Sequence, residues 1–591
     1  MRTAASSPAS TSDGRHQVSH WSRTAPTWVW AGLIVLLTLA AYLPAIRGGF
    51  VWDDPEHVTH NRLLRSAEGL GRIWGDIGAT PQYYPVVFTA FWIQYRLWGT
   101  DPLGYHLVNV ALHAASAVLL GTILKRLHIP GAWVTAALFA LHPVHVESVA
   151  WVTELKNVLS GFFYLSALLS YLGHAGLNGL PSGRSAYVVA LVFFLAALLS
   201  KTVTCSLPAA VLLLIWYRRG SLRRADVLAT LPLFAAGLLA ACTTAWVERH
   251  HVGTRYVDLG LSGADRFLVA GRAVWFYLGK LVWPGNLTFS YPRWRIDARD
   301  PWQLLYPVLA ATVIGLLFLG RRRLGRGPLV AALYFVVTLM PALGFVDVYP
   351  MRFSFVADHF QYLASIGPIT LFAALMARAL STISGPSAGP GAVARRVVLP
   401  AACRAAPVGA LLAVLAVLTW RQCRDYKDEP TLWRATLERN PHSWMAMNNL
   451  AMLLAGSHQE NEKLALLKRA VRTNPDFADA HNNLGVHYLE RGDTERARHH
   501  FSEALRSEPH YAQAHCNLAN LLNRQGRTDE AIARYRLALG IKPDYATGHA
   551  NLGGCLAARG EAAEAYKHLL TAVLLEPELA LAHYNLATFL V

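Results

Sequence analysis

An all-α protein in two parts is predicted: a polytopic helical membrane domain, followed by a solenoid of helical repeats. Three features of the 591-residue sequence indicate this fold: a high apolar content, a series of long apolar runs, and a pattern that recurs through the C-terminal part. Hydrophobic residues make up 53% of the chain and charged residues only 15%, whereas a soluble domain carries about 25% charged residues. This composition excludes a wholly soluble enzyme and, for most of the chain, intrinsic disorder.

The positive charge is concentrated in the apolar part of the chain. Residues 1–428 contain 37 Lys and Arg against 19 Asp and Glu, whereas residues 429–591 contain 17 against 18. The basic residues cluster in short connections between apolar runs, as in residues 218–224 and 321–326. Cytoplasmic loops of membrane proteins show this bias, so the excess charge indicates membrane topology and not a nucleic-acid partner.

Eleven apolar runs are predicted to be membrane spans, within a membrane domain of residues 27–420. The first run, residues 27–46, has about the 20 residues that a spanning helix needs. It follows residues 1–26, which we predict to be a disordered cytoplasmic tail. The other ten predicted spans cover residues 103–124, 130–148, 157–173, 186–200, 203–217, 227–247, 302–319, 328–346, 360–380 and 398–418.

The stretch 266–283 is predicted to lie at the membrane interface without crossing. It carries Arg272 and Lys280, and charged side chains are costly at bilayer depth. With a cytoplasmic N-terminus, every basic connection, including Arg395-Arg396, then lies inside. The odd number of crossings places loop 47–102 and everything after Trp420 on the external side. We therefore expect a multi-pass protein of the cell membrane.

The C-terminal part repeats every 34 residues. A proline closes each unit, at Pro441, Pro475, Pro509, Pro543 and Pro577. This period, with alanines where paired helices cross, is typical of the tetratricopeptide repeat. We predict a connector with a partial repeat helix over 421–443, and repeats over 444–591: four full units and one truncated unit. Such arrays present a concave surface to a protein partner.

An acidic pair follows the first predicted span. Asp53 and Asp54 lie at the start of the first external loop, in the string Phe-Val-Trp-Asp-Asp-Pro. Adjacent like charges and partial burial raise the pKa of a carboxyl group. Such a group can act as a general base toward an alcohol, or can hold a cation. The alternative is an Asx-type turn that ends the span.

Further ionisable side chains are predicted on the same side of the membrane. His142 and His145 are close enough to share a helix face, but Pro143 interrupts the helix and no spacing fixes a third ligand. A hydrogen-bonded cluster is therefore favoured over a metal site. The other candidates for substrate binding are Glu147, Lys156, Lys201, Arg352, Asp358 and His359.

Acids and cations in one external cluster suit a phosphate-bearing substrate. Cations hold the phosphate, and a carboxylate takes a proton from the acceptor. For each residue taken alone, the alternative is a charged side chain that extends to the interface from the end of a span.

The sequence resembles the transmembrane and tetratricopeptide-repeat (TMTC-type) O-mannosyltransferases, and more closely their bacterial relatives. The resemblance covers nearly the whole chain after the tail, and its motifs are specific in their order. They are residues 50–54 with Asn61, residues 142–149, Ser200-Lys201, residues 281–284 with Tyr291-Pro292, and the trailing repeats.

The resemblance implies a GT-C glycosyltransferase with a polyprenyl-phosphate sugar donor. It implies Asp53 as the base and Asp54 as its support, with no cofactor and no required metal. Relatives often have an Arg where this chain has His359. Arg352 or Lys201 is the candidate replacement, and the alternatives are a different donor or loss of activity.

We expect a membrane glycosyltransferase that moves a sugar, mannose by the resemblance, to a Ser or Thr hydroxyl of an external protein. The repeats would present this acceptor, and the resemblance places the protein in a bacterial inner membrane. The alternative is a non-catalytic membrane scaffold whose repeats assemble a cell-envelope complex. A transporter is disfavoured, because inverted halves are not evident and the ionisable residues lie at one membrane boundary.

Overall fold

The computed structural model describes residues 26–177, 183–250, 259–382, 401–454 and 459–591. All regular structure within these ranges is helical, without a β-strand. The all-α prediction is therefore confirmed. Residues 1–25 of the predicted tail and the predicted cytoplasmic pair Arg395-Arg396 lie outside the described residues.

The membrane part contains sixteen α-helices in its described residues. The first eight are α1 (Thr27–Ala41), α2 (Leu43–Ile46), α3 (Ala67–Gly75), α4 (Pro85–Trp98), α5 (Pro102–Arg126), α6 (Ala132–Leu141), α7 (Val146–Ala150) and α8 (Leu155–His174). The next eight are α9 (Arg184–Leu198), α10 (Leu207–Arg219), α11 (Arg224–His250), α12 (Gly263–Val282), α13 (Leu305–Gly320), α14 (Gly327–Leu339), α15 (Ile366–Thr382) and α16 (Ala401–Cys423).

Several of these helices are suited to a membrane. Five helical segments in the described ranges are long and apolar enough to cross it: Pro102–Arg126, Val152–His174, Arg224–His250, Pro301–Gly320 and Ala406–Tyr426. Five shorter apolar helices accompany them. A polytopic helical fold is thus confirmed, and the count of eleven spans stays a prediction.

The predicted span 130–148 is not one helix. Helix α6 ends at Leu141, and His142 adopts extended backbone angles, with φ −77° and ψ 126°. The cause is Pro143, since a proline disfavours the helical conformation of the residue before it. Three short helical turns follow before α8 begins at Leu155. This broken stretch supplies one wall of the site described below.

The basic connections lie together at one end of the helix bundle. Lys125, at the end of α5, donates a hydrogen bond to Thr27 Oγ1 at 2.7 Å, so the start of α1 lies at this end. Arg219 at the end of α10 pairs with Asp226 at 2.7 Å, and the guanidinium of Arg326 lies against Gly220. Leu127 after α5, Tyr217 of α10 and Arg323 line one cavity, so the start of α1 and the end of α10 lie at a shared basic end.

Helix α12 lies across the opposite end of the bundle. Arg266 in its first turn pairs with Asp347 at 2.8 Å, and the carbonyl of Leu281 in its last turn lies 3.0 Å from His142 Nε2. Arg272, whose charge makes a membrane crossing unfavourable, packs against another side chain of the protein: its guanidinium lies 4.4 Å from the centroid of the Trp294 ring. Both ends of α12 thus contact loops on one side.

The repeat array follows a connector helix, α17 (Glu429–Arg439). Four helix pairs and a ninth helix come next: α18 (Trp444–Leu453), α19 (Glu460–Thr473), α20 (Ala478–Glu490), α21 (Thr494–Ser507), α22 (Ala512–Arg524), α23 (Thr528–Ile541), α24 (Ala546–Ala558), α25 (Ala562–Leu575) and α26 (Ala580–Leu590). Position 485 requires a glycine, because a Cβ there would lie 2.5 Å from the Phe501 ring of the paired helix. The predicted tetratricopeptide solenoid is confirmed.

Candidate active site

Asp54 anchors the first loop of the membrane part to the broken stretch between α6 and α8. Its Oδ2 accepts a hydrogen bond from the backbone N–H of Val51 at 2.8 Å. Its Oδ1 accepts two from Thr153, at 2.7 Å from the backbone and 2.6 Å from the hydroxyl. Trp52 completes this turn with a φ of 56°, a strained angle for a bulky residue. The acidic pair therefore begins a tightly bonded loop.

Asp54 is fully buried and is not part of the lining of the cavity that Asp53 faces. Burial, reinforced by the neighbouring charge of Asp53, raises the pKa of Asp54 to about 8, although its three hydrogen bonds favour the charged form. All its close partners are groups of the loop or of Thr153. These bonds fix the first loop to Thr153, and the supporting role that the resemblance implies for Asp54 stays a prediction.

Asp53, by contrast, faces a cavity. Its side chain is 25% exposed, and its Oδ1 accepts a hydrogen bond from the indole N–H of Trp151 at 3.1 Å. His57 Nδ1 lies 2.9 Å from the backbone carbonyl of Asp53 and 3.7 Å from its Oδ2. The carboxylate is thus oriented by neighbours on two elements while part of it stays open.

The cavity has a volume of about 530 Å³ and lies between loops of the membrane part and the first repeat helix. It combines aromatic and aliphatic surface with charged side chains. Its ionisable lining residues are Asp53, Glu56, His57, Glu147, Glu154, Lys156 and His359. A concave site that combines apolar surface with a few titratable groups is typical of an active site.

Aromatic rings form one wall of the cavity and join it to the connector helix. Trp52 packs on Trp433 of α17 with ring centroids 5.0 Å apart, and Phe289 contacts both Trp151 and Trp433 at 5.1 and 5.3 Å. Trp433 is 1% exposed. The repeat array is therefore fixed to the loop that carries Asp53 by buried apolar contacts.

Glu154 joins the two lysines of the predicted cluster. Lys156 Nζ lies 3.1 Å from Glu154 Oε1, and Lys201 Nζ lies 3.1 Å from Oε2. Lys156 lines the cavity, and its ammonium lies 5.4 Å from the centroid of the Trp151 ring. One carboxylate shared by two ammonium groups leaves this triad with one positive charge.

Glu147 and His359 form a second pair in the wall. His359 Nδ1 lies 3.1 Å from Glu147 Oε1, and the backbone N–H of His359 donates to Oε2 at 3.0 Å. Asp358 lies behind them, where Tyr291 Oη contacts both of its carboxyl oxygens at 3.0 Å. Burial and the nearby Glu147 raise the pKa of Asp358 well above its ordinary value. Of the predicted 358–359 pair, only His359 reaches the cavity.

His142 and His145 do not line the cavity. The ring of His142 contacts the backbone of Leu281 and Val144. The ring nitrogens of His145 lie 2.8 Å from the Phe139 carbonyl and 3.0 Å from Ser365 Oγ. Both rings make contacts within the protein where the helix is interrupted at Pro143, so the structure does not bring them to this cavity as predicted.

Arg352 also departs from the predicted arrangement. Its guanidinium lies 3.4 Å from Glu508 in the repeats and 5.8 Å from the centroid of the Phe477 ring. Its neighbours Tyr349 and Phe353 line the cavity, whereas Arg352 does not. Arg352 is thus directed toward the repeats, and Lys156 is the predicted cation that reaches the cavity.

Several site residues were not predicted. Trp151 and Phe289 are aromatic residues outside any polar motif, and they reach the site through contacts between distant segments. The sequence alone therefore gave no signal for them. His57 could have been found, since it stands four residues after Asp53 in a helical turn. Met445 enters the lining from the first repeat helix, α18.

A resident metal has no evident ligand set. Among the residues that the structure describes, no group of three or more His, Cys, Asp or Glu side chains is arranged to hold an ion. The expectation that the protein uses no cofactor stays a prediction.

Fold and site together define a polytopic helical membrane protein with an acid-and-cation cavity next to a tetratricopeptide-repeat array. Three tetratricopeptide-repeat family profiles match residues 466–499, 487–546 and 522–587. Among solved structures, a thermophilic TPR protein of Thermus thermophilus is 22% identical, covers 31% of this chain and 97% of its own, and gives a TM-score of 0.25.

Three quarters of the chain is similar to a named transferase. Protein O-mannosyl-transferase F38B6.6 of Caenorhabditis elegans is 25% identical over 75% of this chain and 63% of its own length. Protein O-mannosyl-transferase tmtc2 of Xenopus laevis is 32% identical over 27% of this chain, and Tmtc1 of Drosophila melanogaster is 33% identical over 28%. The chain spans about three fifths of the worm relative and a fifth of the other two. The resemblance to TMTC-type O-mannosyltransferases is confirmed.

Proposed function

We propose that this protein is a membrane O-mannosyltransferase that uses a polyprenyl-phosphate sugar donor. One observation carries the proposal: the partly exposed carboxylate of Asp53 and the ammonium of Lys156 line the same cavity. Both groups contact Trp151, which donates a hydrogen bond to Asp53 and lies beneath Lys156. The names of the relatives support the transferase class and the sugar.

The proposed reaction is an inverting displacement. Asp53 accepts the proton of a Ser or Thr hydroxyl as the hydroxyl oxygen attacks the anomeric carbon. The bond from that carbon to the phosphate oxygen breaks, and its electron pair leaves with the lipid phosphate. Lys156, held by Glu154 at 3.1 Å, stabilises the charge that builds on the leaving phosphate. A phosphate is a good leaving group, so no acid is needed to protonate it.

Pre-set charges make this arrangement effective. Glu154 and Lys156 are 1% and 13% exposed, and electrostatic stabilisation is stronger in such a dry site than in water. The two lysines and Glu154 together carry one net positive charge, which offsets part of the charge that builds on the departing phosphate. His359 takes the position where relatives often have Arg, and its ring faces Glu147, so Lys156 carries the phosphate contact in this proposal.

The repeats are proposed to present the acceptor protein. Met445 of the first repeat lines the cavity, and Phe477 and Glu508 of later repeats contact the rim segment 349–353. A polypeptide held on the repeat surface would therefore bring its Ser or Thr hydroxyl close to the carboxylate of Asp53. We place this side of the molecule outside a bacterial inner membrane, with the basic end in the cytoplasm.

The test is Asp53→Asn in the full-length protein, reconstituted in membranes with labelled mannosyl polyprenyl phosphate and a Ser/Thr-rich acceptor protein. Mannose transfer should fall by at least about a hundredfold, the lower range for loss of a general base. The control is Asp76→Asn in the same loop, whose carboxylate is 51% exposed and pairs with Arg72; it should leave transfer unchanged. Undiminished transfer by Asp53→Asn would remove Asp53 from the mechanism, whereas absence of transfer by the wild type would favour the non-catalytic scaffold.

A further inference from the structure

A second cavity lies where α1 and α16 end, and it shares no lining residue with the Asp53 cavity. Its volume is about 890 Å³, and it is open to solvent. The apolar part of its lining comes from Leu43, Pro44 and Trp420. Its basic lining residues are Arg47, Arg421, Arg424, Lys427 and Arg439.

The charge in this cavity is poorly balanced. Asp425 supplies the one carboxylate among its lining residues, and it is bonded to Arg439 at 2.5 Å. Arg47, Arg421 and Arg424 are exposed and form no salt bridge with an acid in the described ranges. Three guanidinium groups that share one open cavity repel each other unless an anion lies between them.

The position of the cavity matches a membrane boundary. Helices α1 and α16 are apolar and pack side by side, and their outer faces expose Leu33, Leu36, Val414 and Val417 at 45%, 66%, 56% and 52%. Trp420, 40% exposed at the end of α16, is the kind of residue that marks the headgroup level. An apolar track thus leads directly to the arginine cluster.

The bias of basic residues toward the cytoplasmic side of a membrane protein does not account for these arginines. Helix α1 begins next to Lys125 at the basic end of the bundle and runs away from it toward Arg47. The arginine cluster is therefore at the end opposite to the basic connections, where a bias toward cytoplasmic charge predicts few cations. The cluster has to be explained by what it binds.

We propose that this cavity binds the phosphate of an anionic membrane lipid. Arg47, Arg421 and Arg424 supply planar donors that suit phosphate oxygens, and the acyl chains lie along the exposed faces of α1 and α16. The apolar surface of Leu43 and Trp420 favours a lipid over a free phosphate, which would leave that surface in water. The site is separate from the Asp53 cavity and does not depend on transferase activity.

The test measures lipid binding by native mass spectrometry on the full-length protein. The probe is phosphatidylglycerol, with phosphatidylcholine as the neutral comparison. The triple substitution Arg47→Gln, Arg421→Gln and Arg424→Gln should weaken phosphatidylglycerol binding by about tenfold or more, about 1.4 kcal/mol. The matched control removes three exposed repeat arginines, Arg472→Gln, Arg496→Gln and Arg498→Gln, and should bind as the wild type does.

Each outcome decides the proposal. Equal phosphatidylglycerol binding by the wild type and the triple variant would overturn it, as would equal binding of the two lipids by the wild type. If inorganic phosphate displaces phosphatidylglycerol and binds as tightly as the lipid does, the acyl chains contribute nothing to the affinity. The ligand would then be a free anion, and the lipid assignment would be overturned. If the triple variant does not fold, the single variants Arg47→Gln and Arg421→Gln should each show a smaller loss in the same direction.

Discussion

The indole N–H of Trp151 donates a hydrogen bond to Asp53 Oδ1 at 3.1 Å, and this contact joins two segments 98 residues apart in the chain. Lys156 lies over the same indole, 5.4 Å from its centroid. One aromatic side chain therefore contacts both the proposed base and the proposed phosphate-binding cation. Trp151 helps to set the spacing of the two charges, together with Glu154, which pairs with Lys156.

Trp151→Phe should impair transfer without unfolding the protein. Phenylalanine retains an aromatic surface beneath Lys156 but removes the hydrogen-bond donor to Asp53. A hydrogen bond to a charged group contributes about 1.5–3 kcal/mol, so the rate should fall by about tenfold or more. The measurement is mannose transfer at saturating donor, with thermal unfolding as the check on folding. An unchanged rate would show that the hydrogen bond does not orient the base.

Asp54→Asn should change how stability depends on pH. Burial, reinforced by Asp53, raises the pKa of Asp54 from 3.8 to about 8, so the native state holds a proton that the unfolded state releases. The contribution of Asp54 to the free energy of unfolding is full below about pH 4 and falls as pH rises toward 8. The stability advantage of the wild type over Asp54→Asn should shrink from pH 5 to 8, by at most about 1.4 kcal/mol per pH unit.

This prediction is checked by thermal unfolding in detergent across that pH range. Asp54→Asn also places an amide N–H near the Val51 donor, so the variant should be the less stable protein at low pH. A difference in unfolding temperature that stays constant with pH would contradict the assignment.

Glu154→Gln should destabilise the protein more than Lys201→Met. Removing Glu154 leaves two buried ammonium groups without their carboxylate, whereas removing Lys201 leaves Glu154 paired with Lys156. Breaking a buried charge pair costs about 3–5 kcal/mol. In a thermal unfolding series, the double variant Glu154→Gln with Lys201→Met should be more stable than Glu154→Gln alone. The reverse order would show that the triad is not held by charge.

Arg352→Glu and Glu508→Arg should each loosen the contact between the rim and the repeats. The two side chains are 21% and 30% exposed, so the pair itself contributes about 1 kcal/mol or less, and reversing one charge adds repulsion. Hydrogen exchange in residues 349–353 should quicken in each single variant and return toward the wild-type rate in the double variant. Failure of the double variant to recover would leave packing on Phe477 as the basis of the contact.

The repeats and the basic end should be labelled from opposite sides of the membrane. In a variant in which the exposed Cys242 is replaced by Ser, a cysteine at Glu495 in the repeats should react with a membrane-impermeant reagent in intact cells. A cysteine at Arg218 should react only after the membrane is opened. Labelling of Glu495→Cys only after opening would place the repeats in the cytoplasm and exclude an external acceptor.

Local patterns predicted the fold well. The 34-residue period predicted the helix pairs, since Phe501 and Ala504 are buried between helices as that pattern requires. The clustering of arginines in connections predicted which helix ends lie together, as Arg219 and Arg326 show. Each of these signals lies within a short stretch of sequence.

The site was predicted less completely, because it depends on contacts between distant segments. Asp53 and Asp54 look alike in the sequence, and the bonds from the distant Thr153 distinguish the buried member from the open one. The direction of Arg352 depends on Glu508, 156 residues later. The run 130–148 looked like one span, although the restriction that Pro143 places on His142 is visible in the sequence.

The repeat array contacts loops of the membrane domain near both of its ends. Trp433 packs beneath the first loop, Glu508 pairs with Arg352 midway, and the carbonyl of Leu575 accepts a hydrogen bond from Arg62. These three contacts hold the array against the membrane domain along its length, so it is not a tethered arm. In the proposed transfer, the acceptor hydroxyl has to lie on a narrow, projecting segment of polypeptide that can enter between the two parts, so accessibility would select the modified residue as strongly as local sequence.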